Sequence, residues 1–284
     1  MDLSNKTIAI TGSTGGLGKE ISIGLAKMGA NLIFVNRNLQ KSEELAQEIK
    51  KCSPNTKIDI VLADLTDIES VKTALQALEN MGFDTLILNA GIYNVPIKKV
   101  STGYNNIFQV NFISQYYLTK KLLKKPDLKK VVAVGSIAYN FAKFNANDID
   151  YSNCKKTNKV YGNSKRFFMC SMYELFERNK EKELCIAHPG VTLTNMTNHF
   201  HKSINWFVKF GIKVVFPSPK NAAKNIITGI ENNSQNFSWI GPEIFNIWGK
   251  PKHKKIKKIS SAEREKIYEL AEDIFNKVDT QSQI

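Results

Sequence analysis

This sequence predicts a doubly wound α/β fold, with helices on both faces of a mainly parallel sheet of seven strands. Three observations predict it. Short β-branched apolar runs alternate with amphipathic helical stretches from residue 7 onward. The runs are apolar throughout, as strands covered on both faces must be. The first of them ends in a glycine-rich turn that opens a helix, a junction suited to binding an anion.

The elements follow in order. "TIAIT" (7–11) is the first strand and stops at Gly12; Ile21, Leu25 and Met28 then share one helical face, which Gly29 closes. "NLIFVN" (31–36) and "SEELAQEIKK" are the next strand and helix. "IDIVLADL" (58–65), the helical "SVKTALQALENM" (70–81) and "DTLILNAG" (84–91) continue the alternation. A longer helix is expected over about 101–125, a strand at "KVVAVGS" (130–136), a helix at about 161–179 and a sixth strand at "LCIAHPG" (184–190). A helix at about 219–231, an edge strand "SQNFSWIG" and a helical tail at about 261–278 complete the chain. Right-handed crossovers make this one domain over 1–284. The aromatic stretch within about 195–218 has two readings, core packing or a lid over an apolar ligand.

Composition narrows the function. An apolar content of 42% supports a sizeable core, and no segment reaches the roughly 18 apolar residues of a membrane span. The start "MDLSNKTIAIT" lacks a signal-peptide pattern, so a cytoplasmic protein is expected. Cys52, Cys154, Cys170 and Cys185 are scattered and read as free thiols; no metal site is expected, His199 and His201 included. The net charge of +14 gathers in "KKLLKKPDLKK" (120–130) and "KPKHKKIKK" (250–258). The first reads as an amphipathic helix end and the second as a solvated face that can touch phosphates or anionic lipid headgroups. No nucleic-acid-binding motif is present, so no nucleic-acid partner is expected.

The turn "TGSTGGLG" (11–18) offers Gly12, Ser13, Thr14, Gly16, Leu17 and Gly18 to a pyrophosphate at a helix N-terminus. The second strand ends in Asn36 and Arg37, where an NAD site usually has a carboxylate for the ribose 2′-hydroxyl. Without that carboxylate, and with Arg37 to pair a 2′-phosphate, NADP(H) is expected over NAD(H).

In "VYGNSK" Tyr161 and Lys165 stand one helical turn apart. A tyrosine of pKa about 10 is a poor acid-base group at neutral pH, and a lysine cation beside it favours the phenolate. Ser136 ends the fifth strand and is expected at the same edge as the cofactor, free to bond a substrate oxygen or to cap the turn.

With these residues the chain resembles the short-chain dehydrogenases/reductases. "TGSTGGLG", "ADL" (63–65), "NAG" (89–91), "VGSIA" (134–138), "YGNSK" (161–165) and "HPGVTLT" (188–194) stand in that family's order across about 5–245. "VNFISQYYLT" (110–119), the long Ser136-to-Tyr161 interval and "WIGPEIFNIWGKP" resemble the branch of retinol dehydrogenases and protochlorophyllide reductases. The resemblance implies a Rossmann domain and a role for each matched residue. Tyr161 would be general acid in carbonyl reduction and base in alcohol oxidation. Lys165 would lower its pKa and hold the nicotinamide ribose. Ser136 would orient the substrate oxygen, and Asn111 would support a proton relay. Asp64 and Leu65 would flank the adenine, and Asn89, Ala90 and Gly91 would line the cleft. Thr194 would hold the carboxamide or pyrophosphate end, and Pro189, Gly190 and Thr192 would also bind the cofactor.

The expected function is therefore NADP(H)-dependent hydride transfer to or from a hydrophobic or aromatic carbonyl or alcohol. The alternative is a non-catalytic dinucleotide-binding redox sensor. A homodimer and a weak anionic-membrane contact through the basic tail are compatible with either.

Overall fold

The computed structural model describes residues 1–190 and 218–280. In chain order β1 is Thr7–Thr11, α1 Gly16–Lys27, β2 Asn31–Asn36, α2 Leu39–Cys52, β3 Ile58–Leu62, α3 Ile68–Glu79 and β4 Thr85–Leu88. Then come α4 (Asn106–Phe108), a π-helical turn (Gln109–Ile113), α5 (Ser114–Leu122), β5 (Lys130–Val134) and a 3₁₀ turn (Ile137–Phe141). α6 (Thr157–Glu177) and β6 (Glu183–Ala187) follow. The described remainder holds α7 (Pro219–Thr228), β7 (Ser238–Ile244), β8 (Trp248–Lys255) and α8 (Ser261–Thr280).

The sheet order is β3-β2-β1-β4-β5-β6-β7-β8, parallel except for the antiparallel β7–β8 pair. The order reverses beside β1, between β2 and β4, so the C-terminal ends of β1, β4 and β5 open on one crevice. One face of the sheet is covered by α3, α5, α6 and α8 through residues such as Val71, Leu118, Phe168 and Ile274. The other is covered by α1, α2 and α7 through Ile21, Leu25, Ile49 and Ile226. Both faces are dry, which is why the strands lack polar alternation.

Two expectations are corrected. The sheet has eight strands, not seven, because the basic run that read as a solvated tail contributes β8. An edge strand needs hydrogen bonds on one side only, so "WGKPKHKK" forms one without any apolar pattern, and its Lys and Pro residues protect the free edge. The helix expected over 101–125 begins at Asn106 and is interrupted by the π turn. The 120–130 run is also less solvated than its charge implies. Lys120 pairs with Glu272 and Lys121 with Asp279, both on α8, and Tyr116 and Tyr117 donate to the same two carboxylates.

All four cysteines are free. Among the described residues, no helix is long and apolar enough to cross a membrane, and no cluster of three or more His, Cys, Asp or Glu could hold a metal.

Candidate active site

The glycine turn is built by close backbone contact. Gly12 has φ +69°, and a Cβ on it would lie 2.9 Å from Ala90 Cα. A Cβ on Gly18 would lie 2.1 Å from the Gly12 carbonyl oxygen and 2.8 Å from Asn89 Nδ2. Only glycine at both positions lets β1, α1 and the end of β4 meet. Asn89 Nδ2 donates to the carbonyls of Thr11 (3.1 Å) and Gly12 (2.9 Å). Thr11 Oγ1 accepts from the Asn89 and Ala90 amides, both at 3.0 Å, and Gln115 Nε2 donates to the Ala90 carbonyl at 2.9 Å. Thr11 and Gln115 were not singled out from the sequence, where nothing marks a buried brace.

α1 starts at Gly15 without a side-chain cap and without a carboxylate in its first turn. Thr14, Gly16 and Leu17 are half-buried around it. Its positive dipole end and free amides therefore face outward, as a diphosphate requires. Asn36 is buried and committed to the turn: its Oδ1 accepts from the Ser13 amide (2.9 Å), and its Nδ2 donates to Ser13 Oγ (2.7 Å) and Ser42 Oγ (3.0 Å). It braces the loop; Arg37, next in the chain, is exposed and has no ion-pair partner among the described residues. Asp64 Oδ1 accepts from the Thr66 amide and hydroxyl, and the Leu65 carbonyl accepts from Ser114 Oγ at 2.7 Å.

The chemical end is assembled by α6. A Cβ on Gly162 would lie 2.3 Å from the Ala138 carbonyl, so this glycine seats α6 directly on the turn after Ser136. Ser136 Oγ caps that turn, accepting from the Ala138 amide at 3.2 Å, and it lies near enough to the Tyr161 hydroxyl to pull its pKa down. Tyr161 packs edge-on against Tyr93 with ring centroids 4.9 Å apart, a contact without a sequence signal.

Burial pushes the Tyr161 phenol up to about 12, against the pull of Ser136. Burial also pushes the Lys165 ammonium down to about 8, and its Nζ donates to the Val134 carbonyl at 2.8 Å. The expected depression of Tyr161 by Lys165 is thus not seen; desolvation dominates both groups. Asn111 lies in the π turn, a backbone irregularity frequent at functional sites. Its Oδ1 accepts from the Ile92 amide (2.8 Å), and its Nδ2 donates to the Ile92 carbonyl and Ser164 Oγ, both at 3.0 Å. A Cβ on Gly91 would stand 3.3 Å from Asn111 Oδ1 and 3.8 Å from Lys165 Nζ. Gly91 therefore keeps open the space that Asn111 and Lys165 face. This open space, the glycine turn and the uncapped helix together fit a dinucleotide.

Beyond β6, the Pro189 carbonyl accepts from Asn225 Nδ2 at 3.4 Å, and Gly190 takes φ +89°. Thr192, Thr194 and the expected lid up to residue 217 lie outside the described residues, as do His199 and His201. His188, one residue before Pro189, stacks on Trp239 at 4.8 Å, and among the described residues neither ring nitrogen has a hydrogen-bond partner. A cavity of about 510 Å³ opens beside the 3₁₀ turn, lined by Ile137, Tyr139, Asn140, Trp239 and Lys254 among others.

The fold and site define a doubly wound α/β protein with a cradle that fits a dinucleotide. A model of the short chain dehydrogenase family matches residues 6–205, and the chain belongs to that family. It is 28% identical over 219 residues to human retinol dehydrogenase 14, covering 70% of this chain and 65% of that protein. It is 25% identical over 236 residues to human polyprenol dehydrogenase, covering 77% and 70%. Among solved structures, an uncharacterised protein of Mycobacterium paratuberculosis superposes with a TM-score of 0.73 at 23% identity, covering 97% of this chain and 95% of that one.

Proposed function

We propose that the protein is an NADP(H)-dependent oxidoreductase that transfers hydride between the nicotinamide and the carbonyl or alcohol carbon of a hydrophobic or aromatic substrate. The convergence of Ser136, Tyr161, Lys165 and Asn111 on the crevice beside Gly91 carries this reading. Arg37, exposed and without an ion-pair partner among the described residues, supports the 2′-phosphate preference. Relatives named for retinol and polyprenol support the substrate class. Two of the four free cysteines are buried, which fits a reducing compartment and a cytoplasmic location.

In reduction the substrate oxygen bonds the Ser136 and Tyr161 hydroxyls. The bound dinucleotide supplies the hydride. As negative charge grows on that oxygen, Tyr161 gives up its proton and becomes phenolate. Burial keeps Tyr161 protonated at neutral pH, which suits it to donate. The Lys165 cation then steadies the phenolate, and Asn111 fixes the backbone of Ile92 and the α6 hydroxyl of Ser164 around them.

Tyr161→Phe is expected to lower turnover by about 10²–10⁴-fold while leaving NADPH binding near wild type. The assay is NADPH oxidation against aromatic aldehydes, quinones, steroids, retinoids and diketones, with NADPH fluorescence for binding. Wild-type turnover in the variant would overturn Tyr161 as the acid; faster oxidation of NADH than NADPH would overturn the cofactor preference.

A further inference from the structure

We infer that the tip of the β7–β8 hairpin docks the protein on an anionic lipid bilayer. The tip is a β-turn in which the Ile247 amide donates to the Ile244 carbonyl at 2.9 Å. Its central residues, Phe245 and Asn246, have φ of +49° and +58°. Both lie in the left-handed region, where hairpin turns favour Asn and Gly and where a bulky phenylalanine is strained. That strained side chain is 82% exposed, the most exposed large apolar group among the described residues. Ile244 (49%) and Trp248 (37%) flank it, so three of the seven exposed large apolar residues fall within five positions.

The charge along the hairpin and just past it is one-sided. Residues 243–258 hold six lysines and a single carboxylate, Glu243, which Lys252 neutralises at 2.9 Å. Lys250, Lys255, Lys257 and Lys258 are exposed. Edge protection accounts for lysines on β8, but it calls for polar residues at the tip as well, not Ile, Phe and Trp. An apolar point at the end of a lysine-rich hairpin matches the headgroup–acyl boundary of an anionic leaflet. The hairpin also packs on the segment after β6: a Cβ on Gly190 would lie 3.0 Å from Pro242 Cγ and 3.2 Å from the Ile247 carbonyl. Docking by the tip therefore brings the C-terminal edge of the sheet, where the crevice opens, close to the bilayer. The inference does not depend on the proposed catalysis.

The test is flotation of the full chain with phosphatidylcholine vesicles, with and without about 30 mol% phosphatidylserine. Wild type is expected on the anionic vesicles only, and to be released at about 0.5 M salt. Phe245→Gly is expected to lower the bound fraction about tenfold while melting no lower than wild type, since glycine relieves the turn. The Lys250→Glu/Lys255→Glu double variant is expected to lose about tenfold or more. Wild type that stays unbound, or binds neutral vesicles equally, overturns the inference. So does Phe245→Gly binding as wild type does. Self-association that Phe245→Gly abolishes, without vesicle binding, assigns the tip to a second copy and likewise overturns it.

Discussion

At the residue scale the site is governed by desolvation. Lys165 is buried and Tyr161 half-buried, and desolvation drives each toward its neutral form, to about 12 and about 8. At neutral pH Lys165 is therefore a cation close to its titration point, beside a tyrosine that keeps its proton. The sign follows for the proposed reaction. Reduction needs the cation to steady the phenolate, so its rate is expected to fall as pH rises through about 8 and Lys165 deprotonates. The pH profile of kcat for carbonyl reduction checks this, and a flat profile from pH 7 to about 10 would exclude Lys165 as the titrating group. The motif spacing made Tyr161, Lys165 and Ser136 legible in the sequence. Tyr93, Thr11 and Gln115 were not legible, because a ring contact or a buried brace leaves no local pattern.

At the element scale the glycines decide how closely elements approach. Gly162 seats α6 on the 3₁₀ turn, and Gly18 seats α1 against the Gly12 carbonyl and Asn89. Gly18→Ala must push the turn open, because the carbonyl 2.1 Å from its Cβ is backbone and cannot swing away. A loss of about 1–3 kcal/mol in stability is expected, together with weaker NADPH binding. Thermal melts and fluorescence titration measure both, and an unchanged melt would show that the turn accommodates a methyl group. The helices and the apolar strands were legible from their periodicity. β8 was not, because its hydrogen-bonding role on the sheet edge demands no hydrophobic pattern, and its lysines read equally well as solvated coil. The π turn was invisible for a related reason: "VNFISQYYLT" has helical spacing, and the extra residue per turn appears only when Asn111 is pulled toward Ile92.

At the scale of the whole molecule, stability carries a pH signature from His188. Burial lowers its pKa from 6.5 to about 4, so the unfolded chain binds the proton more readily than the folded one. The associated stability is complete above pH 6.5 and is lost as pH falls through about 4, a difference of about 3 kcal/mol. His188→Phe keeps a ring on Trp239 and removes two unpartnered nitrogens, so denaturant unfolding of the variant is expected to decline less between pH 6.5 and 4. Parallel declines in the two proteins would refute His188 as the source.

The sequence by itself determined the class of fold, the glycine turn, the order of the motifs and the spacing of Tyr161 and Lys165. Each is a local property, written in periodicity or in the backbone freedom of a few glycines. Tertiary structure alone decided the eighth strand, the Asn36 and Thr11 braces, the Tyr93 contact and the exposure of Phe245. It also reversed the expected shift of Tyr161, because the pKa of a buried group depends on which solvent and charges the fold removes from it, and no neighbour in the chain records that.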